Sequence, residues 1–150
     1  MSMGNILNYK DAAIWRGPMI SGAIKKLIHD TQWGELDYLL IDMPPGTGDV
    51  YLTIFNELSI DKFILVTTPN KLAISDLQKT ITMLKKLNVS IFGYIFNNIF
   101  NVKDKDKSLL ESHKINHLGT YEFDKNLYDF NLDYNSEITE EISRKILSDT

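Results

Sequence analysis

The sequence predicts an α/β fold in which a mainly parallel sheet is flanked by helices, and three observations point to it. Residues 38–41 (Tyr-Leu-Leu-Ile) and Phe63–Thr67 are short runs of continuous apolar character, as in strands buried on both faces of a parallel sheet. Segments with apolar residues at helical spacing alternate with these runs. An acid, prolines and glycines follow the first run directly, where a strand would hand over to a loop. Strand, loop and helix in repetition is the order of an α/β sheet built by crossovers.

The first helix opens at Pro18, whose missing N–H is an orphan in any first turn. Met19, Ala23, Ile24, Leu27 and Ile28 then share one face, with Lys25 and Lys26 on the other and Gly34 marking the exit. A strand is expected over 38–41, ending in Asp42. Pro44-Pro45-Gly46-Thr47-Gly48-Asp49 cannot be regular structure, and residues 50–58 resume as a short helix. A second strand, Phe63–Thr67, stops before Pro69. The longest helix is expected over 72–87, with Leu72, Ile74, Leu77, Ile81, Leu84 and Leu87 on one side. Residues 89–96 read as a third strand, weakened by Gly93. The alternating charges of 103–107 have nothing to bury against and read as a solvated turn. A helix over 108–117, a strand over 118–121 and an amphipathic helix over 136–148, carrying Ile138, Ile142, Ile146 and Leu147, complete the pattern.

With 150 residues, the chain has the size of one domain, and residues 1–150 are expected to form a single one. Hydrophobic residues make up 43% and charged residues 24%, enough for a core and too apolar for a disordered tail. The 16 basic and 20 acidic side chains leave a net charge of −4, which argues against a broad nucleic-acid surface. Cysteine is absent. That excludes a disulfide scaffold, a thiol nucleophile, and a zinc or iron–sulfur site held by this chain's own thiolates. No apolar run has the length of a membrane span, and the N-terminal residues carry no signal pattern, so a cytoplasmic protein without membrane contact is expected.

Chemistry concentrates in the loop after the first run. An acid at the carboxyl end of a buried parallel strand lies where α/β folds bind ligands. Asp42 could there hold a water on Mg²⁺ beside nucleotide phosphates. Gly46 has no side chain to obstruct a backbone N–H aimed at a γ-phosphate. A purely structural turn would need neither Asp42 nor a second acid at Asp49. Asn97, at the end of the third strand, presents a donor and an acceptor together and so matches the N6 amine and N7 of adenine. An asparagine pair after a strand is also common turn chemistry.

Other candidates are weaker. The Arg16 guanidinium suits a phosphate or an acid, and a structural salt bridge or dimer contact is the simpler role. Trp15 and Trp33 read as packing anchors. His113 and His117 have the spacing of a shared helical face, but a metal would need a third ligand such as Glu111 or Asp124. No Gly-x-Ser-x-Gly elbow is present.

The motifs Met1-Ser-Met-Gly4, Ile14-Trp-Arg-Gly-Pro-Met19, Trp33-Gly-Glu-Leu-Asp-Tyr38, Asp42-Met-Pro-Pro-Gly-Thr-Gly-Asp49 and Thr67-Thr-Pro-Asn70 with Asp76, then Gly93 with Asn97, follow one another in a familiar order. In them the sequence resembles the later part of the Mrp/ApbC family of P-loop ATPases, relatives of the MinD/ParA group, with a looser likeness continuing through Leu118-Gly119 and Phe123-Asp124. The resemblance implies an iron–sulfur cluster carrier or scaffold that works as a dimer with ATP and Mg²⁺. By that resemblance Asp42, Pro44, Gly46 and Asn97 are ATP-site positions: Asp42 the Walker B-type magnesium residue, Gly46 part of switch II, Asn97 the adenine reader. It also implies departures. The family's proline near the base pocket is replaced by Glu122, and its cysteine pair by the stretch Asn98-Ile99-Phe100-Asn101.

A P-loop requires Gly-x-x-x-x-Gly-Lys-Ser/Thr, and none of the eight glycines stands in that spacing before Lys-Ser or Lys-Thr. The expected fold is therefore an incomplete P-loop NTPase-like (Rossmann-like) sheet without its N-terminal P-loop strand and helix. Loss of an interior strand would expose an apolar flank and unpaired backbone. Three outcomes are expected to be open: half of a split ATPase whose partner chain supplies the P-loop, self-association through the open edge, or a truncated remnant. The contrasting reading is a non-catalytic interaction or regulatory protein.

Overall fold

The computed structural model describes residues 17–44, 48–103, 107–124 and 137–148, in two compact units, 1–60 and 61–150. In the first unit, α1 (Gly17–His29) packs on α2 (Asp49–Glu57). Ala23, Ile24, Tyr51 and Ile54 fill their contact, and Thr53 joins the helices by a hydrogen bond of 2.8 Å between its Oγ1 and the Ser21 hydroxyl. At the outer end Glu57 receives Lys25 at 2.6 Å and His29 at 2.8 Å. The Trp33 indole N–H donates to the Ile28 carbonyl at 2.9 Å, closing an otherwise orphaned acceptor in the last turn of α1. Gly34 sits at φ +69°, where a side chain would be strained.

The expected strand over 38–41 does not form. Residues 32–44 carry no ladder, and Leu40 is 89% exposed. A strand apolar on both faces needs neighbours on both edges, and none of the described residues pairs with this one. The sequence has the composition of a buried strand in a position with no partner.

The second unit carries a three-stranded parallel sheet in the order β1 (Phe63–Thr67), β2 (Ile91–Asn98), β3 (His117–Glu122). Between β1 and β2 runs α3 (Lys71–Lys86), which buries Ile74, Leu77, Ile81 and Leu84 and leaves Leu72 exposed. Asn70 caps it by accepting from the Ala73 N–H at 2.9 Å. After α3, Asn88 adopts φ +54°, and Val89 N–H reaches back to the Leu84 carbonyl at 2.9 Å. This Schellman closure consumes Val89, so the strand starts at Ile91 rather than 89.

The helix expected over 108–117 is only α4 (Ser108–Ser112). It ends in the same kind of closure, with Lys114 at φ +54° and the Ile115 N–H on the Leu110 carbonyl at 3.1 Å. Because a lysine takes the position glycine usually holds, the sequence carried no stop signal there. The last helix, α5 (Glu137–Leu147), lays Ile142 on β3. Gly119 permits the approach, since a Cβ there would lie 2.8 Å from Ile142 Cδ1. Lys62 ties α5 to the sheet by donating to the Ile146 carbonyl at 2.6 Å while lying 4.5 Å from the centre of the Phe92 ring.

Candidate functional site

Two groups of residues carry the predicted chemistry, one in each unit. In the first, Asp42 is exposed and follows an irregular segment, not a strand end. Pro44 is anchored through its carbonyl, which accepts from the Tyr51 hydroxyl at 3.0 Å. Gly46 lies outside the described residues, as do Trp15 and Arg16. The far end of the loop is fixed by α2: Tyr51 N–H donates to the Gly48 carbonyl at 3.1 Å, and Thr53 Oγ1 to the Asp49 carbonyl at 2.7 Å. Burial raises the Tyr51 hydroxyl above its ordinary pKa, so it stays a donor throughout the neutral range. Asp49 has a structural neighbour: a Cβ on Gly17 would lie 2.7 Å from its Oδ2, so its carboxylate rests against the first residue of α1.

In the second unit, the polar groups lie at the carboxyl ends of β2 and β3. Asn97 pairs in register with Tyr121 and is exposed. The next residue, Asn98, is only 1% exposed and uses its whole carboxamide. Its Oδ1 accepts from Val102 N–H at 2.9 Å, and its Nδ2 donates to the Val102 carbonyl at 3.2 Å and to the Glu122 carboxylate. The asparagine pair therefore divides its work. Asn97 presents a carboxamide to solvent, and Asn98 builds the turn and holds Glu122. Sequence reasoning missed Asn98, whose only signal was its place as the second residue of that pair.

The two histidines do not share a helical face. His113 follows α4 and accepts from Lys85 Nζ at 2.8 Å through Nδ1. His117 opens β3, stacks on Tyr94 with ring centres 4.9 Å apart, and has its pKa lowered by burial and by Lys107. Among the described residues no group of three or more His, Asp or Glu side chains could hold a metal. A single carboxylate holds Mg²⁺ only where phosphates and water complete the shell. The thiophilic iron–sulfur cluster finds no thiolate in this sequence.

A parallel sheet with crossover helices and polar groups at its carboxyl edge puts the second unit in the α/β class, whose folds take ligands at that edge. A profile described as ParA, the NUBPL iron-transfer P-loop NTPase, matches residues 1–144, and the chain belongs to this family. The iron–sulfur cluster carrier protein of Methanocaldococcus jannaschii is 52% identical over 99 residues, covering 65% of this chain and 34% of that protein. The chain thus spans about a third of the length of the curated relatives it matches. Among solved structures, a nucleotide-binding protein from Archaeoglobus fulgidus in complex with ADP is similar, with a TM-score of 0.65 and 29% identity over 81% of this chain and 57% of that one. The cell division ATPase MinD of Pyrococcus furiosus matches with a TM-score of 0.65 at 20% identity, covering 96% of this chain and 63% of its own, a likeness of fold. No helix among the described residues is long and apolar enough to cross a membrane.

Proposed function

We propose that these 150 residues form the magnesium-loop and base-edge portion of an iron–sulfur carrier ATPase, and that alone they neither turn over ATP nor hold a cluster. The observation that carries this reading is selective retention. The Asp42–Asp49 loop is kept and its ends are anchored by Tyr51 and Thr53, while the sequence has no phosphate-cradling glycine–lysine motif and no cysteine. In this reading Asp42 orients a magnesium-bound water, the backbone around Gly46 senses the γ-phosphate, and Asn97 offers a carboxamide to the base. The phosphate cradle comes from outside these residues, and nucleotide held without it is held weakly, through the base edge. Titration calorimetry of ATP with Mg²⁺ should then show no micromolar binding, and a phosphate-release assay no turnover. Adding a strand–P-loop–helix segment from a relative should restore both. Magnesium-dependent turnover by the chain alone, lost in Asp42→Ala, would overturn the proposal.

A second reading is favoured by one observation: Leu36, Tyr38, Leu39 and Leu40 are all more than 40% exposed in a segment without a ladder. In this reading the segment pairs with a strand of a partner chain or of a second copy, as open apolar strands do. Light scattering on the purified chain tests self-association, with Leu40→Lys expected to abolish it. A monodisperse monomer at high concentration would remove the second-copy form.

A further inference from the structure

Asp49 lies where two helices begin. It is the first residue of α2, whose N-cap, Gly48, makes no side-chain hydrogen bond to the helix. It also meets the start of α1: a Cβ on Gly17, the first residue of that helix, would lie 2.7 Å from Asp49 Oδ2 and 3.8 Å from its Cγ. No acid stands in the first turn of α1 itself, so the carboxylate facing its positive end comes from α2. The bare glycine allows the approach, since 2.7 Å is closer than a side chain at position 17 tolerates. A second link lies one turn further along. Thr53 Oγ1 donates to the Asp49 carbonyl at 2.7 Å and shares a hydrogen bond of 2.8 Å with the Ser21 hydroxyl. Asp49 thus reaches α1 twice, through its carboxylate at Gly17 and through its carbonyl, by way of Thr53, at Ser21.

We infer that Asp49 is a positioning residue whose carboxylate couples the start of α1 to the Asp42–Asp49 loop, so that a displacement of one is felt by the other. The inference rests on the nucleotide reading above for what the loop does, and on the Gly17 contact for the coupling. Tyr51 carries the effect to both ends of the loop, because its N–H holds the Gly48 carbonyl at 3.1 Å and its hydroxyl holds the Pro44 carbonyl at 3.0 Å. Whatever shifts the first turn of α2 therefore shifts both anchors together. A force on the chain leading into α1 reaches the loop of Asp42 by the same route. Asp49 is exposed, so the electrostatic part of the coupling is modest and is screened by salt.

The test is a double-mutant cycle on the full chain without nucleotide, read by amide hydrogen exchange. Gly17→Ala places a methyl against Oδ2 and evicts the carboxylate. Exchange should quicken about two- to fivefold, the scale of one charge at a helix end, at Ser21 on α1 and also at Tyr51 on α2. In an Asp49→Ala background the same methyl meets no carboxylate. Only the helix-propensity gain of alanine remains there, so exchange should hold or slow. Asp49→Asn keeps the shape and loses the charge, and it should quicken both amides at low salt yet match the parent in about 1 M salt. Equal effects of Gly17→Ala in the two backgrounds, a response at Ser21 with none at Tyr51, or an Asp49→Asn variant that exchanges like the parent at low salt each overturns the inference and leaves the nucleotide reading standing. Calorimetry and phosphate release decide that reading separately, and its failure would remove the loop's task without touching the coupling.

Discussion

The Tyr51 hydroxyl donates to the Pro44 carbonyl at 3.0 Å and so joins the start of the Asp42–Asp49 loop to the helix that follows it. Tyr51 is 6% exposed and meets Phe55 edge-on at 6.1 Å, so its ring is fixed before the hydroxyl binds. Tyr51→Phe keeps the ring and loses the hydrogen bond, which should cost about 0.5–1.5 kcal/mol. Urea denaturation measures the cost, and amide exchange at Tyr51 should quicken as the loop loosens. Unchanged exchange would mean that the loop's position does not depend on this bond.

Two glycines predict opposite outcomes for the same substitution. A Cβ on Gly93 would lie 2.8 Å from the Asn116 carbonyl oxygen and 2.6 Å from Leu118 Cγ, the first of which is main chain and part of the β2–β3 ladder. Gly93→Ala should destabilise by about 1–3 kcal/mol, as overpacking does. Gly22, in the middle of α1, has nothing within 4 Å of the position its Cβ would take. Gly22→Ala should therefore stabilise by about 0.5–1 kcal/mol through helix propensity alone. Thermal melts of the two variants, compared with the parent, check the sign of each.

Glu57 gives the α1–α2 contact a pH dependence. Its carboxyl is held below the ordinary value of 4.5 by hydrogen bonds from Lys25 and His29. A lowered folded-state pKa means a contribution present in full above the unfolded value and lost as pH falls through the folded one. Glu57→Gln should lower the melting temperature at pH 7, and the difference from the parent should shrink as the pH drops below about 4. A difference that persists undiminished into acid would assign the effect to shape, not charge.

Much of the second unit was legible in the sequence because its elements satisfy themselves locally. Apart from the exposed Leu72, the apolar spacing of α3 follows the face it buries, and the run at 63–67 is β1. What misled was information the local sequence does not hold. Residues 38–41 have the composition of a central strand, but forming one depends on neighbours, and the described residues supply none. The early end of α4 depends on Lys114 entering a left-handed conformation that no glycine announces. At the candidate site, the Asp42 loop and the asparagine pair stood out in the sequence by their residue types, whereas the division of labour between Asn97 and Asn98 depends on which of them the ladder turns inward.

That division gives the last prediction. Asn98 satisfies both main-chain groups of Val102 and one oxygen of Glu122 from a position 1% exposed. Asn98→Ala removes all three partners at once and opens the turn, so it should cost about 1–3 kcal/mol, the range for a part-buried polar group left unmatched. Asn98→Asp has nearly the same shape and can still accept from the Val102 N–H, but it sets a second carboxylate against Glu122. Two carboxylates in contact cannot both ionise without cost, so one of them retains its proton to higher pH in the folded state than in the unfolded chain. A raised folded-state pKa contributes stability below the unfolded value that is lost as pH rises, so this variant should be closest to the parent in stability near pH 4 and fall behind it toward neutrality. Asn97→Asp, one residue away and exposed, should show no such trend. Chemical denaturation of the three variants between acid and neutral pH separates the two asparagines, and parallel pH profiles for Asn97→Asp and Asn98→Asp would show that Asn98 does not hold Glu122 in solution.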